Sequence, residues 1–553
     1  MLGTATLSVL ALLASGPGVV RAQVAQAQVQ VQEPLQFDLP IAVANSTAAG
    51  CQQACAALEE APTDDPTDLT PRYFVVQQQE LTPLCVVYPE SAGDVSRAVQ
   101  VVKEYQCPFS VRSGGHGNHA GVSSIQGGLV IDTSRLKSIT ISEDESTVGL
   151  GAGLRWKEVY AVLEQRGLMV IGGRTESVGV SGFTLGGGMS FLSRRHGWAL
   201  DNVRNYELVL ANGTIANVNK TSSPDLFFAL RGGGNNFGIV TRFDFETFRQ
   251  GTLLGGTTVW ILKDLESRLA ALGLQDPWRW SAHSLLSRAN RNVFKALGVL
   301  GFATDSKDAI REFVALADEK QTDAGAHAFM FLSWVPNLFG YFSGMTTMYS
   351  GPDASPAVFR NITALPKVHS TVRRGNMSDF VNEIEGQNDG LRDKRNIWRT
   401  ATLKVDAELI SDVFDIFLSN IHPYTTIPNL LLSTNLQLLT KHEIGLFARN
   451  GGNALGIRPE DGPLFFFSIN FGYYDAADDE RLTELAHRIM SQVAEQAKER
   501  GLFHPFIYQN YAGAGQEVYA GYGAENRARL AEIRERYDPE GVFWKLQPGY
   551  FKV

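Results

Sequence analysis

Between about Cys85 and Phe245 the chain alternates short β-branched runs with amphipathic ones. Apolar positions three and four apart predict helices over Ser91–Tyr105 and Trp156–Gly167. Compact β-branched runs predict strands at Phe109–Ser113, Gly128–Asp132, Thr147–Gly151 and Ile239–Phe245. Beyond Phe245 glycine becomes sparser, and longer aromatic strands such as Leu464–Tyr474 and longer helices take over. In Asp478–Arg500, the residues Leu482, Leu485, Ile489, Met490, Val493 and Ala497 share one helical face. This order of elements predicts an α+β fold. The pattern puts a second domain at 251–500, and a last segment, 501–553, that returns to the first. No repeat of 20–50 residues is visible, which excludes a solenoid or propeller.

The first residues follow a different pattern. Met1–Ala22 joins the apolar run Leu7–Leu13 to a small-residue stretch and reads as a signal peptide, although Lys and Arg are missing ahead of the run. No other stretch of about 18 uncharged apolar residues occurs, so no membrane span is expected. Gln23–Leu35 reads as a flexible lead-in, and Glu59–Pro71, with three prolines and several acids, as weakly structured. The N-terminal region, 23–78, is expected to be tied down by disulfides: all four cysteines, Cys51, Cys55, Cys85 and Cys107, lie in the first fifth of the chain. Three pairings are open, and Cys51 and Cys55, one helical turn apart, favour distant partners over each other. Acceptor triplets at Asn45, Asn212, Asn219, Asn361 and Asn376 agree with a secreted or secretory-pathway protein.

Composition narrows the function. In 553 residues, 44% hydrophobic and 19% charged leave ample material for packed cores. A formal net charge of -9 argues against nucleic acid as a partner. Glycine is abundant, at 54 residues, and it clusters. Arg112-Ser113-Gly114-Gly115-His116-Gly117 follows a predicted strand. Seven glycines fall within the seventeen residues 172–188, and Gly232-Gly-Gly-Asn-Asn-Phe-Gly238 precedes another strand. Side-chain-free backbone can present N–H groups to an anion or press against a flat ligand. Each cluster alone is compatible with tight turns. Three within 130 residues point to one extended ligand touching several loops. The Rossmann and Walker spacings are absent. His116 and His119 lack a metal-ligand pattern around them, so no metal is expected.

The same residues resemble a known family. Arg-Ser-Gly-Gly-His at 112–116, Gly-Gly-Leu-Val-Ile-Asp at 127–132, Val-Gly-Val-Ser-Gly at 178–182, Gly-Gly-Gly at 186–188 and the stretch 225–241 are similar to the FAD-binding domain (PCMH type) of the vanillyl-alcohol oxidase superfamily. The nearest likeness is to berberine-bridge-enzyme-like oxidases. Tyr508-Gln-Asn-Tyr511, Tyr522-Gly523, Asn526, Leu530 and Tyr537-Asp-Pro539 resemble the family's closing motif. The resemblance implies a two-part FAD-binding domain at 79–250 and 501–553, with an inserted substrate domain at 251–500 whose antiparallel sheet is covered by helices.

It further implies FAD held by Arg112, Ser113, Gly114, Gly115, Gly117, Val178, Gly179, Gly182, Gly187, Gly188, Ile239 and Asn510, and attached covalently to His116. Thr175 stands where bicovalent members have cysteine, so a single attachment is expected. Val178 matches a position that shapes oxygen approach; Gly117 and Ser181 depart from the usual serine and glycine. Tyr508 is implied as the general base, with its pKa lowered by neighbours, and Asn470 as a substrate-side polar residue. Asn510 is placed beside Tyr508 on an extended strand. The aromatic walls at Ala326–Tyr349 and Leu464–Tyr474 suit a small phenolic, polyketide-like or alkaloid-like substrate with an oxidisable alcohol or amine. The expected partners are that small molecule and O2, in a monomer or homodimer. The competing readings are a carbohydrate oxidase, a flavin-containing cyclase without net redox turnover, and a flavin-carrying binding protein.

Overall fold

The structure is a computed structural model that describes residues 45–58, 73–274, 301–321, 323–335 and 340–553. The signal peptide, the lead-in and Glu59–Pro71 fall outside the described residues. Three sheets of three or more strands organise the rest. A small parallel sheet has the order Cys85–Val87, Leu129–Asp132, Phe109–Arg112. A five-stranded antiparallel sheet runs Ile139–Ile141, Thr147–Gly151, Ile239–Glu246, Val203–Val209, Ile215–Val218. The largest sheet has ten strands. Its central members, Gly340–Tyr349, Ala326–Val335, Leu431–Leu439, Leu464–Tyr473 and Arg395–Lys404, pair antiparallel throughout.

Local chemistry sets the element ends. Helix Ala92–Glu104 opens at Ser91, whose Oγ accepts from the Asp94 N–H at 3.2 Å while the Asp94 carboxylate accepts from the Ser91 N–H at 2.9 Å. Its Val95, Ala98, Val99 and Val102 are buried. The run from Trp156 stays α-helical only to Leu163; the next residues tighten into a 3-10 turn that ends at Gly167 with φ 64°, a left-handed stop natural to glycine. Cys51 is bonded to Cys107 and Cys55 to Cys85, each joining helix Asn45–Ala57 to a distant strand or loop.

Strand Leu464–Tyr473 shows how the large sheet positions a site. All ten residues are buried, and period two divides them. Phe465, Phe467, Ile469, Phe471 and Tyr473 enter one core, shared with helices Ala407–Ile421 and Asp479–Glu499. Leu464 and Phe466 belong to the other core, and Ser468 and Asn470 on that side face a cavity. Burying each large apolar side chain contributes roughly 1.5–3 kcal/mol, so a one-residue slip of this strand would forfeit several such terms. The second core is built from residues between Leu254 and Phe503. Helix Met377–Asn388 departs from that division: Met377, Phe380, Val381 and Ile384 pack into the first core. Its Ser378 N–H donates to Glu164 at 2.8 Å.

Candidate active site

A cavity of 370 Å³ lies where the glycine clusters meet the ten-stranded sheet. Its lining includes Ser113, Gly114, Gly115, His116, Gly117, Val178, Gly179, Gly182, Ile239, Asn470, Tyr508 and Asn510. Loops separated by hundreds of residues thus converge on one space.

The first two clusters touch through their glycines. A Cβ on Gly114 would sit 2.3 Å from the Gly179 nitrogen, and one on Gly179 2.5 Å from the Gly114 nitrogen, so neither position accepts a side chain without moving backbone. Ser113 and Ser181 both donate to the Ala152 carbonyl at 2.7 Å, which locks the two loops together. A Cβ on Gly182 would enter open space. This backbone-walled cradle fits a flat ring system. Polar atoms agree: Gln437 Oε1, Gln509 Oε1, Gln547 Oε1 and Trp398 Nε1 are buried in lining residues without a hydrogen-bond partner, an arrangement that calls for a polar ligand. These residues fit FAD.

Three of the residues carried over from the resemblance lie behind the wall. Arg112 is buried and ion-paired with Asp132 at the end of the adjacent parallel strand, and its guanidinium stacks over Tyr73. Arg112 thus has a partner inside the fold, and it lines a separate cavity with Ser113, Arg135 and Arg155 instead of this one. Gly187 and Gly188, with φ 129° and 87°, press against Trp198 and Ala199, so they shape the turn and do not line the cavity.

His116 is stacked on Phe74, with ring centroids 4.5 Å apart. Its Nε2 lies 2.7 Å from Ser177 Oγ, and Ser177 Oγ lies 2.6 and 2.7 Å from the two Glu385 oxygens. Arg392 is ion-paired with Glu385. Burial, reinforced by Arg155 and Arg392, pushes the His116 pKa down to about 3, so the imidazole is neutral near pH 7. Sequence reasoning missed Ser177 and Glu385. Glu385 lies more than 200 residues beyond Ser177, on a helix whose spacing marks only its apolar face.

Tyr508 does not stand as expected. It precedes a 3-10 turn, Gln509–Tyr511, so Asn510 reaches it by curling back and not along a strand; a turn satisfies backbone groups that have no neighbouring strand here. The Tyr508 hydroxyl accepts from the Met189 N–H and from Asn510 Nδ2, both at 3.1 Å, and Asn510 also donates to Phe183 O. Its ring is held between Trp198 and Phe466. Burial pushes its pKa above the usual tyrosine value and Tyr511 adds to this, against the opposing pull of Met189 N–H, Arg174 and Asn510. The expected lowering is not met, because desolvation of the phenolate outweighs its hydrogen bonds.

Tyr511 has the partners that sequence reasoning assigned to Tyr508. Its oxygen accepts from Arg174 Nη2 at 2.5 Å and from Gln437 Nε2 at 2.7 Å, and it is only half-buried. The sheet presents Phe329, Trp398, Asn435 and Asn470 to the same space. Asn435 Nδ2 donates to Asn470 Oδ1 at 3.3 Å. The spacing Tyr-x-x-Tyr at 508–511 was visible in the sequence, but which phenol meets a cation depended on Arg174, 337 residues away.

The chain matches an FAD binding domain over residues 83–219. It is 35% identical over 489 residues to the FAD-dependent monooxygenase tpcD of Cochliobolus heterostrophus, covering 87% of each chain. Among solved structures it resembles 6-hydroxy-D-nicotine oxidase from Arthrobacter nicotinovorans, with a TM-score of 0.66 and 20% identity over 88% of this chain and 96% of that one. It also resembles the glucooligosaccharide oxidase of Acremonium strictum, described with 6-S-cysteinyl, 8α-N1-histidyl FAD, with a TM-score of 0.65 and 19% identity over 91% and 98%. With an FAD binding domain and a relative 35% identical over 87% of its length, the chain belongs to the FAD-dependent oxidoreductases that include tpcD, and it shares the fold of the berberine-bridge-enzyme-like structures.

Proposed function

We propose that this oxidoreductase is a secreted oxidase that removes a hydride from an alcohol or amine carbon of a small aromatic secondary metabolite and returns the electrons to O2 as hydrogen peroxide. FAD, joined to the protein only through His116, supplies the two-electron acceptor. Ser113, Gly114, Gly115, Gly117, Val178, Gly179, Gly182 and Ile239 would hold the cofactor through backbone contact, and Asn510 would brace the tyrosine turn beside it. Thr175 offers no sulfur for a second link.

The reading rests above all on the Tyr511 oxygen, which faces the cavity while held by a guanidinium and an amide. Hydride loss from an alcohol carbon requires removal of the hydroxyl proton in step, and the Tyr511 oxygen, fixed in place by Arg174 and Gln437, is positioned to take it. In this reading Tyr511, rather than Tyr508, is the base, and Asn470 with Asn435 orients the substrate's polar end. Phe329 and Trp398 provide the aromatic walls, which favour a ring-bearing substrate over a strongly hydrated one. The two disulfides and the exposed acceptors Asn212, Asn361 and Asn376 support passage through an oxidising compartment.

Anaerobic mixing with panels of phenolic, polyketide-like and alkaloid-like alcohols and amines tests the proposal. The flavin absorbance should bleach with one of them, and admitted O2 should yield one peroxide per substrate oxidised. Oxygen incorporated into the product at the expense of an external reductant would instead make the protein a monooxygenase, as the Cochliobolus relative is named. Peroxide formed only with oligosaccharides would favour the carbohydrate reading, to which the Acremonium neighbour lends weight. Product without oxygen uptake would identify a cyclase.

A further inference from the structure

His116, Ser177 and Glu385 form a linear hydrogen-bonded chain that ends in an ion pair. A serine hydroxyl carries one proton. Both Glu385 oxygens lie within 2.7 Å of Ser177 Oγ, and the Ser177 N–H adds a bond to the same carboxylate at 3.2 Å. Paired with Arg392, that carboxylate only accepts, so the Ser177 proton points to Glu385. Ser177 Oγ must then accept from His116 Nε2 at 2.7 Å. This fixes the tautomer: Nε2 carries the proton, and Nδ1 keeps its lone pair.

The arrangement is costly to bury. Glu385 is 8% exposed and Ser177 4%, and the oxidation chemistry assigned to Tyr511 uses neither. Helix Met377–Asn388, although it lies within the stretch that supplies the large sheet, packs into the first core and carries Glu385 to the histidine. Phe74 stacked on the imidazole prevents the ring from turning away.

We infer that Glu385, acting through Ser177, is the positioning residue that prepares His116 for flavin attachment: it holds the nucleophilic tautomer and receives the imidazole proton as the bond forms. The inference rests on the reading that FAD is attached at His116. In the step, a C–H bond of the isoalloxazine methyl group breaks and a bond from His116 Nδ1 to that carbon forms. The two electrons of the C–H bond reduce the ring. The imidazole proton leaves Nε2 for Ser177 as the Ser177 proton passes to Glu385. O2 then takes two electrons and two protons, one from the methyl group and one from the imidazole, to give hydrogen peroxide and the oxidised, attached flavin. Passing this proton to Ser177 as the bond forms keeps the imidazole from accumulating a positive charge, which its burial and the nearby Arg392 disfavour.

The test uses the full chain produced under riboflavin limitation, with FAD added afterwards. Acid-stable flavin on the His116 peptide is followed by mass analysis over time. Glu385→Gln and Ser177→Ala should attach flavin at least tenfold more slowly than wild type while still binding FAD reversibly, and Glu385→Asp should recover part of the rate. Attachment in Glu385→Gln should also accelerate between about pH 6 and 9, where hydroxide substitutes for the missing acceptor, more steeply than in wild type. Wild type with attached flavin, and both variants attaching it at the wild-type rate, would overturn the relay alone. Wild type that never forms acid-stable flavin at His116 would overturn the attachment reading and the relay with it. If Glu385→Gln fails to fold, Ser177→Ala decides between the same outcomes, because it removes one small hydroxyl.

Discussion

Arg174 and Tyr511 meet in a charge-assisted hydrogen bond of 2.5 Å across 337 residues of sequence. The guanidinium is held in place by its own neighbours, over the Phe329 ring and 3.4 Å from His327 Nε2, so it does not swing away from the phenol. Gln437 donates to the same oxygen, so two fixed donors hold the phenol in one place. Tyr511→Phe is therefore expected to slow anaerobic flavin reduction by about 10²–10⁴-fold, the usual range for a lost general base. Tyr508→Phe should slow it far less, because its oxygen is committed to Met189 and Asn510. Stopped-flow reduction of the two variants with one substrate checks this. An equal loss in both would remove the distinction between them.

The contact between Gly114 and Gly179 makes a second expectation. A methyl group on Gly114 would lie 2.3 Å from one backbone atom of Gly179 and 2.7 Å from another, distances that only a backbone shift relieves. Separating the two loops also separates Ser113 from Ser181 at the shared Ala152 carbonyl. Gly114→Ala should cost about 1–3 kcal/mol of stability through overpacking and lower the flavin content of the purified protein. Gly182→Ala meets nothing within the fold. It should keep the stability and lose only flavin affinity, so denaturation midpoints and flavin-to-protein ratios separate the two effects.

Much of this was legible in sequence where the signal was local. Ser91 and Asp94 mark a helix start because the capping pair spans three residues. The alternation in Leu464–Tyr473 follows from pleat geometry alone, and the glycine clusters announce close backbone approach before any partner is known. Roles set by distant partners were not legible. Nothing around Arg112 in the sequence announces its ion pair with Asp132 on the neighbouring strand. The burial of Tyr508 and the contact of Arg174 with Tyr511 were equally invisible. Glu385 had no signature at all, since one acid on an amphipathic helix reads as a solvated side chain until the helix is docked.

The paired cysteines close loops of 56 and 30 residues and fasten helix Asn45–Ala57 to the first core, where Cys51 and Ala54 are fully buried. Restricting the unfolded chain over loops of this length is worth about 3–4 kcal/mol each. Replacing Cys51 and Cys107 together by alanine should lower the denaturant midpoint accordingly. Helix Asn45–Ala57 contributes no residue to the cavity lining, so the flavin content of the folded fraction should hold. Parallel denaturation and flavin measurements test both statements.

Glu443 supplies a pH dependence with a defined sign. It is buried, and burial is the largest influence on its carboxyl, raising the pKa from 4.5 to about 7; Asp201 raises it further, while Arg194, the Trp198 indole and Arg174 pull it down. The Trp198 Nε1–H donates to Glu443 Oε1 at 2.9 Å. Between about pH 4.5 and 7 the folded protein holds a proton here that the unfolded chain has already released. The protonated carboxyl's contribution is thus fully present below pH 4.5 and is lost as pH rises through 7. Glu443→Gln keeps an acceptor for Trp198 but cannot ionise. Relative to wild type it should gain stability as pH rises across that window, reaching a plateau on the order of 3 kcal/mol above it. Arg194, whose Nε and Nη1 are buried without hydrogen-bond partners, opposes this gain, because it loses the nearby negative charge. The measurement is the difference in unfolding free energy between variant and wild type at several pH values. Taking the difference cancels the contribution of the histidines His116, His119 and His196, whose pKa values are pushed down and which destabilise the fold only as pH falls below 6.5. A difference that stays flat from pH 4.5 to 8 would mean that Glu443 is ionised throughout, held so by Arg194 and Arg174.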